Sequence, residues 1–252
     1  MRLRPPRRFQ TPKGGNLPEE CEDASLAVYP HGGGPAKIAL SDGASESAFS
    51  RPWARILSDA FVRRPMDMSN LDGPSLAEWL KPCEEEWNRW VPWERIPWHG
   101  EAKTRAGALA TLIGMVIDGT PGRGGSLSWQ ALAVGDCCLF VVRDDALAVT
   151  FPLEEASQFN NTPALVCSNS AKNDRLWPGV HQHRGELLPG DLILLSSDAL
   201  ACWILQERDR GRRPWQTLSS LNAGEWDGWV QEQRRQRTLK NDDTTLIAIH
   251  VE

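Results

Sequence analysis

Residues 189–200, PGDLILLSSDAL, contain a short strand, an acidic residue and the beginning of a helix. The apolar run LILL follows a Pro-Gly-Asp turn signal, and the stretch DALACWILQER after it has the apolar spacing of a helix. Asp198 therefore stands where the strand ends. One aspartate at such a position is ordinary, because Asp favours turns and helix caps. The useful question is whether other strands of the chain end in the same way.

Acidic side chains stand at an end of four further apolar strands: Asp42 in IALSD, Asp136 in ALAVGD, Asp242 and Asp243 before TTLIAIHV, and Glu22 and Asp23 before SLAVY. If these ends meet at one edge, the carboxylates repel one another unless a cation lies between them. Clustered carboxylates suit Mg²⁺ or Mn²⁺ better than zinc. The pattern predicts metal-assisted hydrolysis of a phosphoester and leaves open whether the enzyme is a phosphatase or a nuclease.

The remaining pattern predicts layered α+β structure with antiparallel sheets, because strands and helices come in blocks and do not alternate. Helices are predicted over about 47–62, along the apolar face from Leu76 to Trp90, and in the two stretches DALACWILQER and NAGEWDGWVQEQRRQR. The glycines of HGGGP at 31–35 predict a hairpin turn. Residues 154–185 are polar and predict an irregular excursion, for which a flap beside the site and a mere surface loop are both open interpretations.

Bulk composition excludes several classes of protein. A chain of 252 residues with a net charge of −5 is long enough for one large domain and is not a general nucleic-acid binder. No apolar run approaches the ~20 residues that span a membrane. Six cysteines show no metal-type pairing, which favours the reducing cytoplasm. Residues 1–15 are interpreted as a basic, partly flexible arm before a single domain over 16–252.

The chain has 12 tryptophans but one tyrosine, and five of the tryptophans fall between residues 79 and 98. Trp79, Trp87 and Trp90 recur on one face of the predicted helix, so we expect them in the core. Trp93 and Trp98 lie in a proline-broken segment, where internal packing and a partner-docking surface both remain open.

The ordered motifs CEDA, ALSDGA, GALATL, VGDCCLFV, PGDLILLSSDAL and NDDTTLIAI resemble those of the metal-dependent serine/threonine protein phosphatases of type 2C, with the shorter bacterial branch most similar. The resemblance extends from about residue 16 to the C-terminus. It implies a four-layer αββα sandwich, in which two central antiparallel sheets are flanked by helices and metals lie at one edge. It also implies hydrolysis of phosphoserine or phosphothreonine by a metal-bridging hydroxide, without a phosphoenzyme.

The resemblance implies that two Mn²⁺ or Mg²⁺ ions bind at this edge. Asp42 would bridge both ions, and the carbonyl of Gly43 would bind the second. Asp198 and Asp242 would hold the first ion, and these three aspartates would form the catalytic centre.

The other acidic residues have outer roles by the same resemblance. Glu22 and Asp23 would act mainly through metal-bound waters. Asp136, together with Asp198, can hold a third and weaker metal. Asp243 stands where the family often has Asn, and would orient its neighbours without binding metal.

The sequence departs from the family pattern at three positions. Pro18 stands where many members have a phosphate-gripping arginine, Ala44 where some have a histidine proposed as general acid, and Ala199 where glycine is usual. These departures affect substrate affinity and rate more than metal binding. The group that binds phosphate is therefore unknown, with four candidates: Lys13, Arg51, Arg55 and Arg105.

Two functions from different classes follow. The first is an active phosphatase acting on a phosphorylated protein and opposed by a cognate serine/threonine kinase. The second is a weak or inactive module that keeps the fold and binds a kinase or phosphoprotein. Retention of every acidic motif favours the first, because an unused cluster of like charges would only destabilise the fold. A two-metal nuclease is disfavoured by the acidic net charge.

Overall fold

The structure is a computed structural model that describes residues 2–29, 34–120, 125–160, 162–174 and 176–252. The hairpin turn predicted at 31–35 lies largely outside the described residues. The strands are β1 (Arg7–Thr11), β2 (Ala24–Val28), β3 (Ala36–Ser41), β4 (Leu109–Ala110), β5 (Leu112–Ile117), β6 (Leu127–Val134), β7 (Cys138–Arg143), β8 (Ala146–Phe151), β9 (Val166–Cys167), β10 (Val180–Leu187), β11 (Leu192–Ser196) and β12 (Thr244–His250). The helices are α1 (Ser50–Arg63), α2 (Gly73–Trp90), α3 (Trp98–Arg105), α4 (Asp198–Asp209), α5 (Pro214–Ser220) and α6 (Ala223–Arg235).

The strands form two five-stranded sheets in which every neighbouring pair is antiparallel. One sheet has the order β1-β12-β11-β7-β8 and the other has the order β10-β6-β5-β3-β2. The short strands β4 and β9 pair separately. The register of each strand pair determines which strand ends meet. In the pair of β11 and β12, for example, Leu194 lies opposite Ala248. The antiparallel α+β arrangement predicted from the sequence is confirmed.

Three apolar clusters define four layers. One cluster joins α1 and α2 to the β10–β2 sheet, with Trp53 and Leu57 fully buried. A second joins α4, α5 and α6 to the β1–β8 sheet around Leu200 and Ile204. The third lies between the sheets and consists of inward-facing apolar side chains, among them Ile113 and Trp129. Alternation along each strand sends one face to a helix layer and the other to this middle layer, which produces the αββα sandwich.

The prediction of a basic N-terminal arm is wrong for residues 7–11. These residues form β1, which pairs with β12 at the edge of its sheet, with Phe9 opposite Leu246. Phe9 is buried and stacks on Trp226 with ring centroids 5.1 Å apart. Sequence periodicity does not reveal this strand, because it is short and its two arginines interrupt the alternation of apolar and polar residues. Pairing satisfies the edge of β12 that would otherwise be exposed.

The predicted excursion at 154–185 is also partly wrong. Its last part is strand β10, which pairs with β6 over eight residues at a sheet edge. An edge strand with one face towards solvent tolerates a polar sequence such as HQHRGE, so periodicity did not reveal it. His181 and His183 therefore lie on a strand, and the ring of His183 stacks on Trp129 with centroids 5.3 Å apart.

The tryptophans of the 79–98 segment separate into two groups. Trp87 is buried and Trp79 is half-buried, as expected from their spacing, but Trp90 is 55% exposed and its assignment to the core is wrong. Trp93 packs edge-on against Trp87 at 6.2 Å, whereas Trp98 is 86% exposed. Among the described helices, none has the length and apolar character to cross a bilayer.

Candidate metal centre

The acidic strand ends meet at one edge of the sandwich. Asp42 follows β3, and Asp136 follows β6 by two residues. Asp198 follows β11 by two residues and Asp242 precedes β12 by two, so the antiparallel pairing of β11 with β12 brings them together. These four aspartates and Gly43 line one cleft of about 600 Å³.

Asp42 lies where the negative charges concentrate. Burial raises the pKa of its carboxyl well above the ordinary value, and the carboxylates of Asp23, Asp198, Asp136 and Asp242 raise it further. The backbone around Asp42 is held to the start of β5, since its N–H donates to the Thr111 hydroxyl at 2.9 Å and its carbonyl accepts from the Thr111 N–H at 2.8 Å. The position of this carboxylate is therefore set by the sheet and not by a mobile loop.

Asp136 and Asp23 have similarly perturbed acidities. Burial raises the pKa of Asp136 to about 7, and the neighbouring Asp198 adds to the rise. Burial raises the pKa of Asp23 to about 8, with Asp243 and Asp198 contributing, although a hydrogen bond from Thr245 opposes the shift. Both groups need a cation or a proton near neutral pH, because ionised carboxylates in a desolvated cluster are costly.

Glu22 and Gly43 connect this edge to helix α1. The carboxylate of Glu22 accepts hydrogen bonds from the hydroxyls of Ser45 and Ser50, and Ser50 is the first residue of α1. A Cβ on Gly43 would lie 3.0 Å from the Glu22 carbonyl oxygen and from Ser50, so this position has little room for a side chain. Glu22 and Asp23 are not among the described residues that line the cleft, but Ser45, which donates to Glu22, does line it.

Asp243 ties the N-terminal segment to the start of β12. Its carboxylate accepts the backbone N–H of Lys13 at 2.7 Å and the backbone N–H of Glu22 at 2.6 Å. Arg234 of α6 adds a second link, because its guanidinium donates to the carbonyls of Pro12 and Asp242. These contacts fix the segment from residue 12 to 22 against the turn that carries Asp242.

Lys240 places a positive charge among the acids. Its ammonium lies 2.8 Å from Asp242 Oδ2 and 3.2 Å from Asp198 Oδ2. Partial burial lowers the pKa of Lys240, but the hydrogen bond to Asp242 and the charge of Asp198 outweigh that effect and raise it overall. No sequence pattern marks this lysine as part of the site, although it stands two residues before Asp242 in the motif KNDD.

The donor set fits a pair of hard divalent cations. The Oδ1 atoms of Asp23 and Asp198 are buried without a hydrogen-bond partner in the described structure, and burial together with the neighbouring carboxylates raises the pKa of Asp42. Within the described ranges, no three acidic, thiol or imidazole side chains are already grouped at metal-ligand spacing. The ammonium of Lys240 contacts both Asp198 and Asp242 and occupies space that a cation would need, while the orphaned oxygens and the mutual repulsion of the acids favour a bound cation.

The four candidate phosphate-binding residues lie in different places. Lys13 lines the cleft with the aspartates. Arg51 and Arg55 line a separate cavity of about 290 Å³ beside Trp90. Arg105 pairs with Glu101 at 2.7 Å, on the α3 side of the molecule. Of the four, only Lys13 is among the described residues that face the acidic cluster.

The irregular segment after β8 forms another wall of the cleft. Asn160, Thr162, Pro163 and Leu165 line it opposite the strand ends. The Oδ1 of Asn160 accepts the backbone N–H of Thr162 at 2.8 Å, which shapes the turn locally. No periodicity marks these residues in the sequence, so their contact with the site appears only in the fold.

No family model matches the sequence, and no curated protein sequence matches it either. Solved structures do match. The serine/threonine phosphatase Stp1 from Staphylococcus aureus is similar with a TM-score of 0.62 at 14% identity, over 98% of this chain and 94% of that one. The Mycobacterium tuberculosis serine/threonine phosphatase PstP/Ppp is similar with a TM-score of 0.61 at 16% identity, over 99% of both chains.

A third similar structure is the catalytic domain of the phosphatase PstP in complex with two manganese ions, with a TM-score of 0.60 at 14% identity over 99% of both chains. At these identities the likeness establishes the fold. The chain has the fold of the type 2C serine/threonine protein phosphatases, as the resemblance of its motifs implied.

Proposed function

We propose that this chain, which has the type 2C phosphatase fold, hydrolyses phosphoserine or phosphothreonine in a phosphorylated protein with the help of two Mn²⁺ or Mg²⁺ ions. The observation that carries the proposal is the cleft in which Asp42, Gly43, Asp136, Asp198 and Asp242 come together from four strand ends. Fold alone does not establish activity, because one fold hosts many functions. The carboxylate and carbonyl oxygens grouped in this cleft support metal-dependent hydrolysis.

The carboxylates have the task of holding cations. Asp42 would bridge the two ions with the Gly43 carbonyl on the second, and Asp198 and Asp242 would hold the first. Asp136 would support a third and weaker site. When bound, such a pair of ions lowers the pKa of water and neutralises charge on the phosphoryl oxygens.

The other residues position these ligands. Asp243 holds the Lys13 and Glu22 backbones, and the threonine hydroxyl of Thr111 holds the Asp42 backbone, at the distances given above. These contacts pre-organise the cleft, so binding needs little rearrangement of the chain. Ala44 has no proton to donate, so the leaving group must take its proton from water in the cleft.

Lys13 is the residue we assign to the substrate phosphate. Its backbone is fixed by Asp243, while its side chain lines the cleft beside the acids. A lysine ammonium binds phosphate as a point charge. Lys13→Met should raise KM for an aryl phosphate about 10-fold, with a smaller change in kcat, because one charge-assisted contact is worth about 1.5–3 kcal/mol.

Steady-state kinetics with saturating Mn²⁺ measures that prediction. Arg55→Met is the matched control, since Arg55 is a cation on α1 that lines a different cavity. An unchanged KM in Lys13→Met, or an equal rise in Arg55→Met, would remove Lys13 from the substrate site.

Hydrolysis of p-nitrophenyl phosphate and of a phosphothreonine peptide tests the function itself. We expect turnover with Mn²⁺, weaker turnover with Mg²⁺, and none with chelator. Absence of hydrolysis in a protein that binds Mn²⁺ tightly would end the proposal of an active enzyme.

The second candidate is a module that keeps the fold and binds a kinase or phosphoprotein without hydrolysis. The ion pairs of Lys240 favour it, since an internal cation compensates Asp198 and Asp242 without any metal. For the first function the partner would be a phosphorylated protein supplied by a cognate serine/threonine kinase, and for the second it would be such a protein or the kinase itself. The six free thiols fit the cytoplasm as the compartment.

A further inference from the structure

The contact of Lys240 with the acidic cluster differs from an ordinary surface ion pair. One ammonium approaches two carboxylates from separate strand ends, at 2.8 Å and 3.2 Å. The side chains of Asp198 and Asp242 are only 18% and 27% exposed. A pair of exposed charges is worth little, but charges in a partly desolvated cluster interact more strongly.

The ammonium also acts on a third acid of the cleft. Its charge stabilises the ionised form of Asp136, the acid assigned to the weaker third site. Among the described ion pairs, Lys240 is the cation that contacts the predicted metal ligands. Asp42 and Asp23 form no ion pair among the described residues.

The position of Lys240 also allows its ammonium to move away from Asp198 and Asp242. Its side chain is 59% exposed, and its backbone carbonyl is fixed by the N–H of Asp242 at 3.0 Å. The ammonium can therefore turn into water while the turn that carries Asp242 keeps its shape. Little desolvation opposes the exchange, because the charge ends in solvent and not in an apolar site.

We propose that Lys240 is a built-in counter-cation that competes with the divalent ion for Asp198 and Asp242, and so sets the metal affinity of the cleft. The inference rests on the proposed function in taking these two aspartates as ligands of the first ion. A divalent ion and an ammonium cannot both occupy the space between them. Each metal-binding event therefore includes release of the lysine, and the lost ion pairs reduce the affinity.

The same residue stabilises the protein when no divalent ion is present. Without the ammonium, Asp198 and Asp242 would face Asp136 and Asp42 uncompensated. The lysine therefore couples two quantities in opposite directions: it increases the stability of the metal-free chain and decreases the affinity for metal. A merely structural surface lysine would change neither the affinity nor its relation to stability.

The test is Mn²⁺ titration by isothermal calorimetry at fixed pH and ionic strength, combined with thermal unfolding in chelator. Lys240→Met should bind Mn²⁺ about 10-fold more tightly than the wild type, the size expected for a coupling of this kind. The unfolding temperature of this variant in chelator should fall. Lys240→Arg, which keeps the charge, should resemble the wild type in both measurements. Lys81→Met is the matched control, because Lys81 is a similarly exposed, ion-paired lysine on α2 that does not line this cleft, and its loss should leave the Mn²⁺ affinity unchanged.

The outcomes distinguish failure of this inference alone from failure of the proposed function. Wild-type protein that binds Mn²⁺ no more weakly than Lys240→Met overturns the role of Lys240 and leaves the metal-dependent function standing. Binding by Lys240→Met but not by the wild type supports competition and turns the wild type into the non-catalytic module. Absence of binding in both proteins overturns the inference and the metal-dependent function together.

Discussion

Asp42→Asn should abolish phosphatase activity while making the metal-free protein more stable. Asp42 is the acid on which the charges of four other aspartates act, and its raised pKa shows that its ionised form opposes folding near neutral pH. The neutral amide removes that repulsion but cannot bridge two cations. We expect kcat/KM with Mn²⁺ to fall by about 10³-fold or more, the scale found when a group that stabilises transition-state charge is removed.

A loss of activity combined with a gain in stability distinguishes loss of the metal site from damage to the fold. A variant that only damaged the fold would lose activity and unfold at lower temperature. Asp118→Asn is the matched control, because Asp118 also follows a strand directly, but it is exposed at the far end of β5. That control should keep full activity and stability. Activity that survives in Asp42→Asn would show that the metal site has been assigned to the wrong residues.

The metal-free protein should lose stability as the pH rises from about 5 to 8, and Mn²⁺ should reverse the loss. Burial and neighbouring acids raise the pKa of Asp23 to about 8 and of Asp136 to about 7, and they raise that of Asp42 as well. The folded chain therefore binds more protons than the unfolded chain between the ordinary value of 3.8 and these values. Stability is highest below this window and falls across it, because the carboxyls ionise in the unfolded chain while the folded chain keeps them protonated.

The size of this effect is large for a single site. For Asp136 alone, the difference between 3.8 and about 7 corresponds to on the order of 4 kcal/mol of unfolding free energy. The contributions of the three acids are not additive, because each raises the pKa of the others. Burial lowers the pKa of His250, and this shift makes stability rise with pH. The effect opposes the trend from the acids, but it comes from one partly exposed group. The ion pair of Arg212 lowers the pKa of Glu207, which affects stability only below about pH 4.5.

Urea unfolding between pH 5 and pH 8, in chelator and in Mn²⁺, measures the trend. In chelator the unfolding free energy should fall across the range, and in Mn²⁺ it should stay level or rise, because ionised carboxylates bind the metal. Asp136→Asn should flatten the curve in chelator. Stability that rises with pH in chelator would mean that the acids are already compensated in the metal-free chain.

Strand-end acids were predictable because their positions depend on local pattern. The apolar runs before Asp42, Asp136 and Asp198 indicate where strands stop, and antiparallel pairing then brings those ends to one edge. The layered α+β class followed from the block order of strands and helices. The prediction of the fold thus used features that lie within about ten residues of one another in the sequence, where sequence patterns are most informative.

Cations near the site were not predictable in the same way. Arg51, Arg55 and Arg105 were equal candidates with Lys13 in the sequence, and only the packing of α1 and α3 shows that those three face other surfaces. Lys240 was not identified because the sequence does not show where a lysine side chain two residues from an aspartate points. Its direction depends on the conformation of the turn that carries both residues. The edge strands β1 and β10 were missed for a related reason, since pairing on one side leaves their polar faces without a strong alternation.

The central claim is that carboxylates distant in sequence are held together by divalent ions in one cleft. An anomalous difference map from a crystal grown with Mn²⁺, recorded near the manganese absorption edge, tests it most directly. We predict two strong peaks between Asp42, Asp198 and Asp242, with the Gly43 carbonyl beside one of them, and their loss in Asp42→Asn. A map with no peak in this cleft, or with manganese bound elsewhere on the chain, would contradict the account.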